Sequence, residues 1–116
     1  MAITFNKAEI AQAKQMLEIA FQTFNASHHF QPGQFARWKK GMKNKNLPAY
    51  GDPVIVMEIL STAVFDRKFG AESESPLFRE PLDLVLGLFN RNDEDFLLFH
   101  YDSRRFEPFP LIVCQM

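Results

Sequence analysis

One cysteine, Cys114, is the only thiol in this 116-residue chain. A lone thiol excludes an internal disulfide and fits a reducing setting, so a cytoplasmic protein is expected. Long apolar runs are also missing. None approaches the ~18–20 residues that a membrane-spanning helix needs. The first residues lack the charged region, apolar stretch and cleavage site of a signal peptide. The five glycines are scattered singly, which removes any phosphate-cradling loop. Ser61, Ser73, Ser75 and Ser103 have no nucleophile-elbow context, and no base–nucleophile pair is evident. The chain therefore reads as a non-enzyme, with no cofactor and no metal called for. Repeats, interdomain linkers and low-complexity tracts are absent, and one domain over residues 1–116 suits this length.

Net charge is nearly absent, at −1, but its distribution is uneven. Residues 37–45 hold five of the thirteen cations, leaving eight cations against fourteen acids elsewhere. A balance of that kind argues against a general polyanion binder, whose domain is usually basic throughout or along one face. It leaves room for a local basic patch.

Phenylalanine, by contrast, is abundant: thirteen residues, whose burial is expected to dominate the core. Hydrophobic content of 47% and charged content of 23% are ordinary for a globular protein. A helix is expected over residues 6–25. Asn6 and Glu9 have the spacing of a capping box, and Phe5 with Ile10 that of a hydrophobic staple. Ile10, Ala13, Leu17, Ala20, Phe21 and Phe24 recur at spacings of three and four and mark one apolar stripe. His28 and His29, just beyond, suit the negative end of the helix dipole.

The period then changes from 3.6 to 2. Strands are expected at about 34–39, 53–60, 82–89 and 95–101, with shorter ones near 62–65 and 111–113. Leu82, Leu84, Leu86 and Leu88 alternate with Asp83, Val85, Gly87 and Phe89, placing four leucines on one face. The polar run Asn90–Asp95 turns this strand into its antiparallel neighbour. Residues 66–81 show no periodicity and read as a long loop. One helix followed by several antiparallel strands is an α+β domain, and a small, strongly bent sheet closing as an SH3-like barrel over residues 30–114 fits best. The helix stripe would then cover an open end of the barrel or one side of the sheet, or pack against the same helix of a second subunit in a homodimer.

Surface chemistry concentrates in one place. Arg37, Trp38, Lys39, Lys40, Lys43 and Lys45 combine cations with an indole on a loop held between two strands. Cations neutralise phosphates and an aromatic face stacks on bases, so a nucleic acid or an acidic protein surface is the partner such a loop suggests. A solvated turn with a core tryptophan is the competing reading, and the direction of the Trp38 side chain decides between them. Tyr101, Asp102, Arg104 and Arg105 form a second cluster. They either anchor a small molecule in an aromatic pocket between helix and sheet, or make a structural network at a strand end, with Glu58 a further partner. A zinc site from His28, His100 and Cys114, or catalysis by His100, Tyr101 and Asp102, would need the fold to bring those groups together.

Pro32-Gly33-Gln34-Phe35, Arg37-Trp38-Lys39, Tyr50-Gly51-Asp52-Pro53 and the run Asp102 to Phe109 resemble a group of small uncharacterised bacterial proteins, some carried on mobile, integron-type gene cassettes. The resemblance covers residues 30–109. It implies a bacterial cytoplasmic protein with a barrel-like fold, and carries no catalytic residues across.

Overall fold

A computed structural model describes residues 6–65, 80–90, 92 and 94–110. The expected terminal strand near 111–113, Cys114, Phe5 and most of the 66–81 loop lie outside the described residues. Helix α1 spans Lys7–Asn25. Its capping box is reciprocal: the Asn6 side chain accepts from the Glu9 amide at 2.8 Å, and the Asn6 amide donates to Glu9 Oε1 at 2.9 Å. Two of the four orphan amides of the first turn are thereby satisfied.

Five strands follow: β1 (Phe35–Trp38), β2 (Val54–Val64), β3 (Leu82–Phe89), β4 (Phe96–Tyr101) and β5 (Phe106–Pro108). A one-turn 3-10 helix, η1 (Ser103–Arg105), separates the last two. They form one antiparallel sheet in the order β4-β3-β2-β1-β5. The protein is thus α+β. The sheet is open among the described residues, with β4 and β5 as its edges, so a closed barrel is not what these residues show.

Two details differ from the expected elements. The separate strands at 53–60 and 62–65 are one eleven-residue strand, β2, whose pairing with β3 shifts register between Val56 and Glu58 and again before Val64. An extra residue of this kind bends a strand without ending it. The Asp102–Phe109 segment, read as a strand end and turn, contains η1 and a short fifth strand paired with β1. The entry into β1 is as expected: Gly33 takes a positive φ of 91° in the Pro32-Gly33 turn, and the Gln34 amide closes it onto the Gln31 carbonyl.

Alternation sorts the side chains into two faces. The inner face buries Ala36, Trp38, Val54, Val56, Leu84, Leu86, Leu88, Tyr101 and Phe106, with Phe30 and Leu47 packed against them. All four leucines of β3 are buried, as their spacing predicted. The outer face carries the alternate residues. Phe35, Ile55, Gly87 and Leu98 stand opposite one another across four strands.

The phenylalanines do not fill the core. Among the described residues only Phe106 is fully buried, while Phe21, Phe35, Phe65, Phe89, Phe96 and Phe99 are exposed. Trp38, Tyr101, the leucines and the valines do the packing instead. Helix α1 covers neither the inner nor the outer face, and none of its residues is buried.

Candidate functional site

The basic segment is built around two residues that point inward. Trp38 is 2% exposed. Its indole stacks on the Phe106 ring at 4.3 Å, meets Tyr101 edge-on at 5.6 Å, and donates from Nε1 to the Pro48 carbonyl at 2.7 Å. An indole held on three sides offers no stacking platform to a base. The orientation follows from β1, where Ala36 and Trp38 share the core face and Arg37 alternates outward.

Lys39 is buried as well. Its ammonium donates to the Thr23 carbonyl at 2.6 Å, the Ala26 carbonyl at 2.8 Å and the Phe24 carbonyl at 3.4 Å. These carbonyls belong to the last turn and C-cap of α1, at the negative end of its dipole. The cation that caps this helix is therefore Lys39, far along the chain, and not His28 or His29, which are exposed. Burial lowers the Lys39 pKa, and the charges of Glu107 and Asp102 oppose that shift.

Two of the remaining four cations, Arg37 and Lys45, are engaged through their charged groups. Arg37 pairs with Glu107 at 2.8 Å and lies near the Phe109 ring. Lys45 donates to the His100 carbonyl at 2.7 Å and sits 5.0 Å from the Tyr101 ring centre. Lys40 is exposed, and the Lys43 amide donates to the Tyr50 hydroxyl at 3.0 Å. One shallow hollow of about 480 Å³ joins Arg37, Lys40, Glu107 and the exposed ring of Tyr50. The structure therefore separates the six expected residues: Trp38 and Lys39 belong to the interior, and Arg37 and Lys40 share a surface hollow with Tyr50.

The second cluster is a structural network. Asp102, 3% exposed, caps η1 by accepting from the Arg104 amide at 2.9 Å and receives the Arg104 guanidinium at 2.7 and 3.0 Å. Arg105 pairs through Nε with Glu80 and donates to the Met42 carbonyl at 3.0 Å. Glu80 also accepts from Asn44 at 2.7 Å, so it ties the basic segment to η1. Both guanidinium groups lie against the Phe24 ring, at 4.5 and 5.2 Å. They clamp the end of α1. Glu58 faces solvent, and the two arginines take Asp102 and Glu80 instead. His100 lies on the outer side of β4 while Tyr101 faces inward and donates to the Leu47 carbonyl at 2.7 Å. His100, Tyr101 and Asp102 consequently share no cleft. No family model, curated protein or solved structure matches this chain.

Asp102 carries a pH signature. Burial pushes its carboxyl upward, and the side-chain and backbone hydrogen bonds from Arg104 outweigh burial, leaving it below the usual carboxylate value. A depressed native pKa means that the unfolded chain binds the proton more readily. The stability from this pair is then complete above pH ~4 and is lost as pH falls through the native value. The urea midpoint should decline between pH 5 and pH 3, and Asp102→Asn should show a shallower decline over that range. Parallel curves for the two chains would remove the assignment.

The surface that sequence reasoning missed is the outer sheet face. Phe35, Met57, Phe89, Phe96 and Leu98 are exposed there. Five of its residues, Phe35, Ile55, Met57, Phe89 and Phe96, surround a hollow of about 390 Å³ whose floor includes Gly87. Gly87 has a packing reason: a β-carbon there would stand 2.5 Å from Phe96 Cζ, so glycine lets the ring lie across the strand. Phe96 and Phe89 face each other at 5.7 Å. A signal was present in the sequence. The run Val54-Ile55-Val56-Met57 is apolar at every position, which is the pattern of a strand covered on both faces.

Proposed function

We propose that this chain is a non-enzymatic binding module that works through apolar protein–protein contact, with a second copy of itself as the partner on the outer sheet face. The observation that carries this reading is the uncovered row of Phe35, Met57, Phe89, Phe96 and Leu98 on an otherwise well-satisfied domain. Exposed apolar patches of this kind mark interaction sites. No buried side-chain nitrogen or oxygen among the described residues lacks a partner, so the polar groups are spent on the fold. On the architectural side, the strand order β4-β3-β2-β1-β5, the long bent β2 and the 3-10 turn between β4 and β5 support an SH3-like barrel opened along one seam.

A second reading keeps the basic segment as the contact. Arg37, Lys40 and the exposed Tyr50 ring line one hollow and suit an acidic protein surface, such as that of another copy. The nucleic-acid version is weaker, because its stacking residue, Trp38, lies inside the core.

One measurement separates the readings. Light scattering at rising salt should give a mass near twice 13.5 kDa that persists at high salt, because apolar contact is not screened. Phe89→Ser with Phe96→Ser should return the mass to that of one chain with the near-ultraviolet signal of Trp38 unchanged. A mass that ignores both serines but collapses in salt would transfer the contact to Arg37 and Lys40.

A further inference from the structure

Among the described residues, two apolar surfaces are left exposed. One is the α1 stripe, where Ile10, Leu17 and Phe21 are 41, 69 and 69% exposed. The other is the outer sheet face, where Phe35, Met57, Phe89, Phe96 and Leu98 are 58, 40, 65, 50 and 53% exposed. We propose that two copies exchange arms: α1 of each lies across the outer sheet face of the other, in a closed two-fold dimer. This rests on the apolar-contact reading above and names what occupies the face.

The two surfaces do not meet within one chain. The last turn of α1 is fixed by the Lys39 ammonium and by Phe24 under Arg104 and Arg105. Lys39 follows the end of β1, whereas the outer patch lies at the start of β1 with Phe35, the start of β4 with Phe96 and the end of β3 with Phe89. Among the described residues, η1 is the only element that α1 packs against beyond isolated contacts.

Dimensions agree. The row Phe35, Ile55, Gly87, Leu98 crosses four strands, about 14 Å at the usual strand spacing. The stripe from Ile10 to Phe21 covers about 16 Å at the helical rise per residue. The hollow lined by Phe35, Ile55, Met57, Phe89 and Phe96 receives one large side chain such as Leu17 or Phe21.

Area agrees as well. At roughly 200 Å² for a fully exposed large side chain, the two surfaces together expose about 900 Å² per copy. A reciprocal exchange would cover up to about 1,800 Å² in all, the size of a standard stable interface. Both halves of the contact are on one chain, so exchange about a two-fold axis satisfies four surfaces in one closed step. A different protein would have to supply both a helix and a sheet face to do the same. The helix gains too. A lone 19-residue helix is marginal in water, and docking its stripe supplies the packing it lacks at home.

The test uses the full chain with Leu17→p-benzoylphenylalanine, mixing isotopically labelled and unlabelled copies before illumination. Adducts should join labelled to unlabelled chains and map to peptides containing Phe35, Met57 or residues 87–98. Leu17→Lys, at an exposed site that leaves the core intact, should weaken dimerisation at least 100-fold by light scattering. A dimer whose adducts are only helix to helix, or one that Leu17→Lys leaves intact, would overturn the exchange. The apolar-contact reading would survive either result if Phe89→Ser with Phe96→Ser still dissociates the dimer. A wild-type chain that stays monomeric would overturn both.

Discussion

Trp38→Ala should cost about 3–5 kcal/mol of folding stability, the usual penalty for truncating a large aromatic in a core. Three losses combine: the stack on Phe106, the edge contact with Tyr101, and the donor to the Pro48 carbonyl. The first two leave a cavity among residues that are themselves fully buried, Tyr101, Phe106, Leu84 and Leu86, so little can collapse to fill it. The third strands an acceptor that the indole now satisfies. Thermal melting should show a fall on the order of 10–20 °C for a domain of this size. Trp38→Phe should recover part of this, since it restores the stack without the donor. A ligand platform makes the opposite forecast. An exposed indole would leave the melting temperature unmoved and affect only binding, so an unchanged melt would reopen the basic surface as the site of action.

Lys39→Met should loosen α1 selectively. Methionine fills the channel with a similar volume but donates nothing to the Thr23 and Ala26 carbonyls. Hydrogen bonds from a charged donor contribute about 1.5–3 kcal/mol, and here that energy fastens one element. Hydrogen exchange should therefore quicken at the amides of the last two turns of α1 while the amides of β3 keep their protection. Lys39→Arg should not rescue it, because a planar fork cannot converge on carbonyls that a tetrahedral ammonium collects from one point. Uniform loss of protection across helix and sheet would instead make Lys39 a general core residue.

Local signals were read faithfully where they are local. The capping box of Asn6 and Glu9, the stripe on α1, the four leucines of β3 and the hairpin to β4 depend on residues a few positions apart, and each stands where its spacing put it. The candidate site was legible only in part, because its meaning is non-local. Lys39 looked like one of five loop cations. What makes it interior is the arrival of α1's last carbonyls beside it, across a separation that no spacing rule encodes. Arg104 and Arg105 could be read as a small-molecule anchor or as a strand-end network, and only the fold shows Asp102, Glu80 and Phe24 taking up their donors and planes. The aromatic count misled most. Phenylalanine is apolar whether it lies in a core or at an interface, so thirteen of them set how much surface seeks cover, and not where the cover comes from.

The Lys39 cap has a mechanical consequence. With side-chain caps at both ends, α1 behaves as a stiff rod of about 28 Å at the rise of an α-helix. A rod pinned at one end is a lever. Turning the joint by ten degrees sweeps the free tip by about 5 Å over that length, one strand spacing. Small rearrangements where Lys39, Arg104 and Arg105 meet Phe24 are thus magnified at Ile10, about 21 Å along the helix axis. Tolerance at this joint therefore sets where the far end of α1 stands, so a few side chains at one end of the helix govern the position of the other.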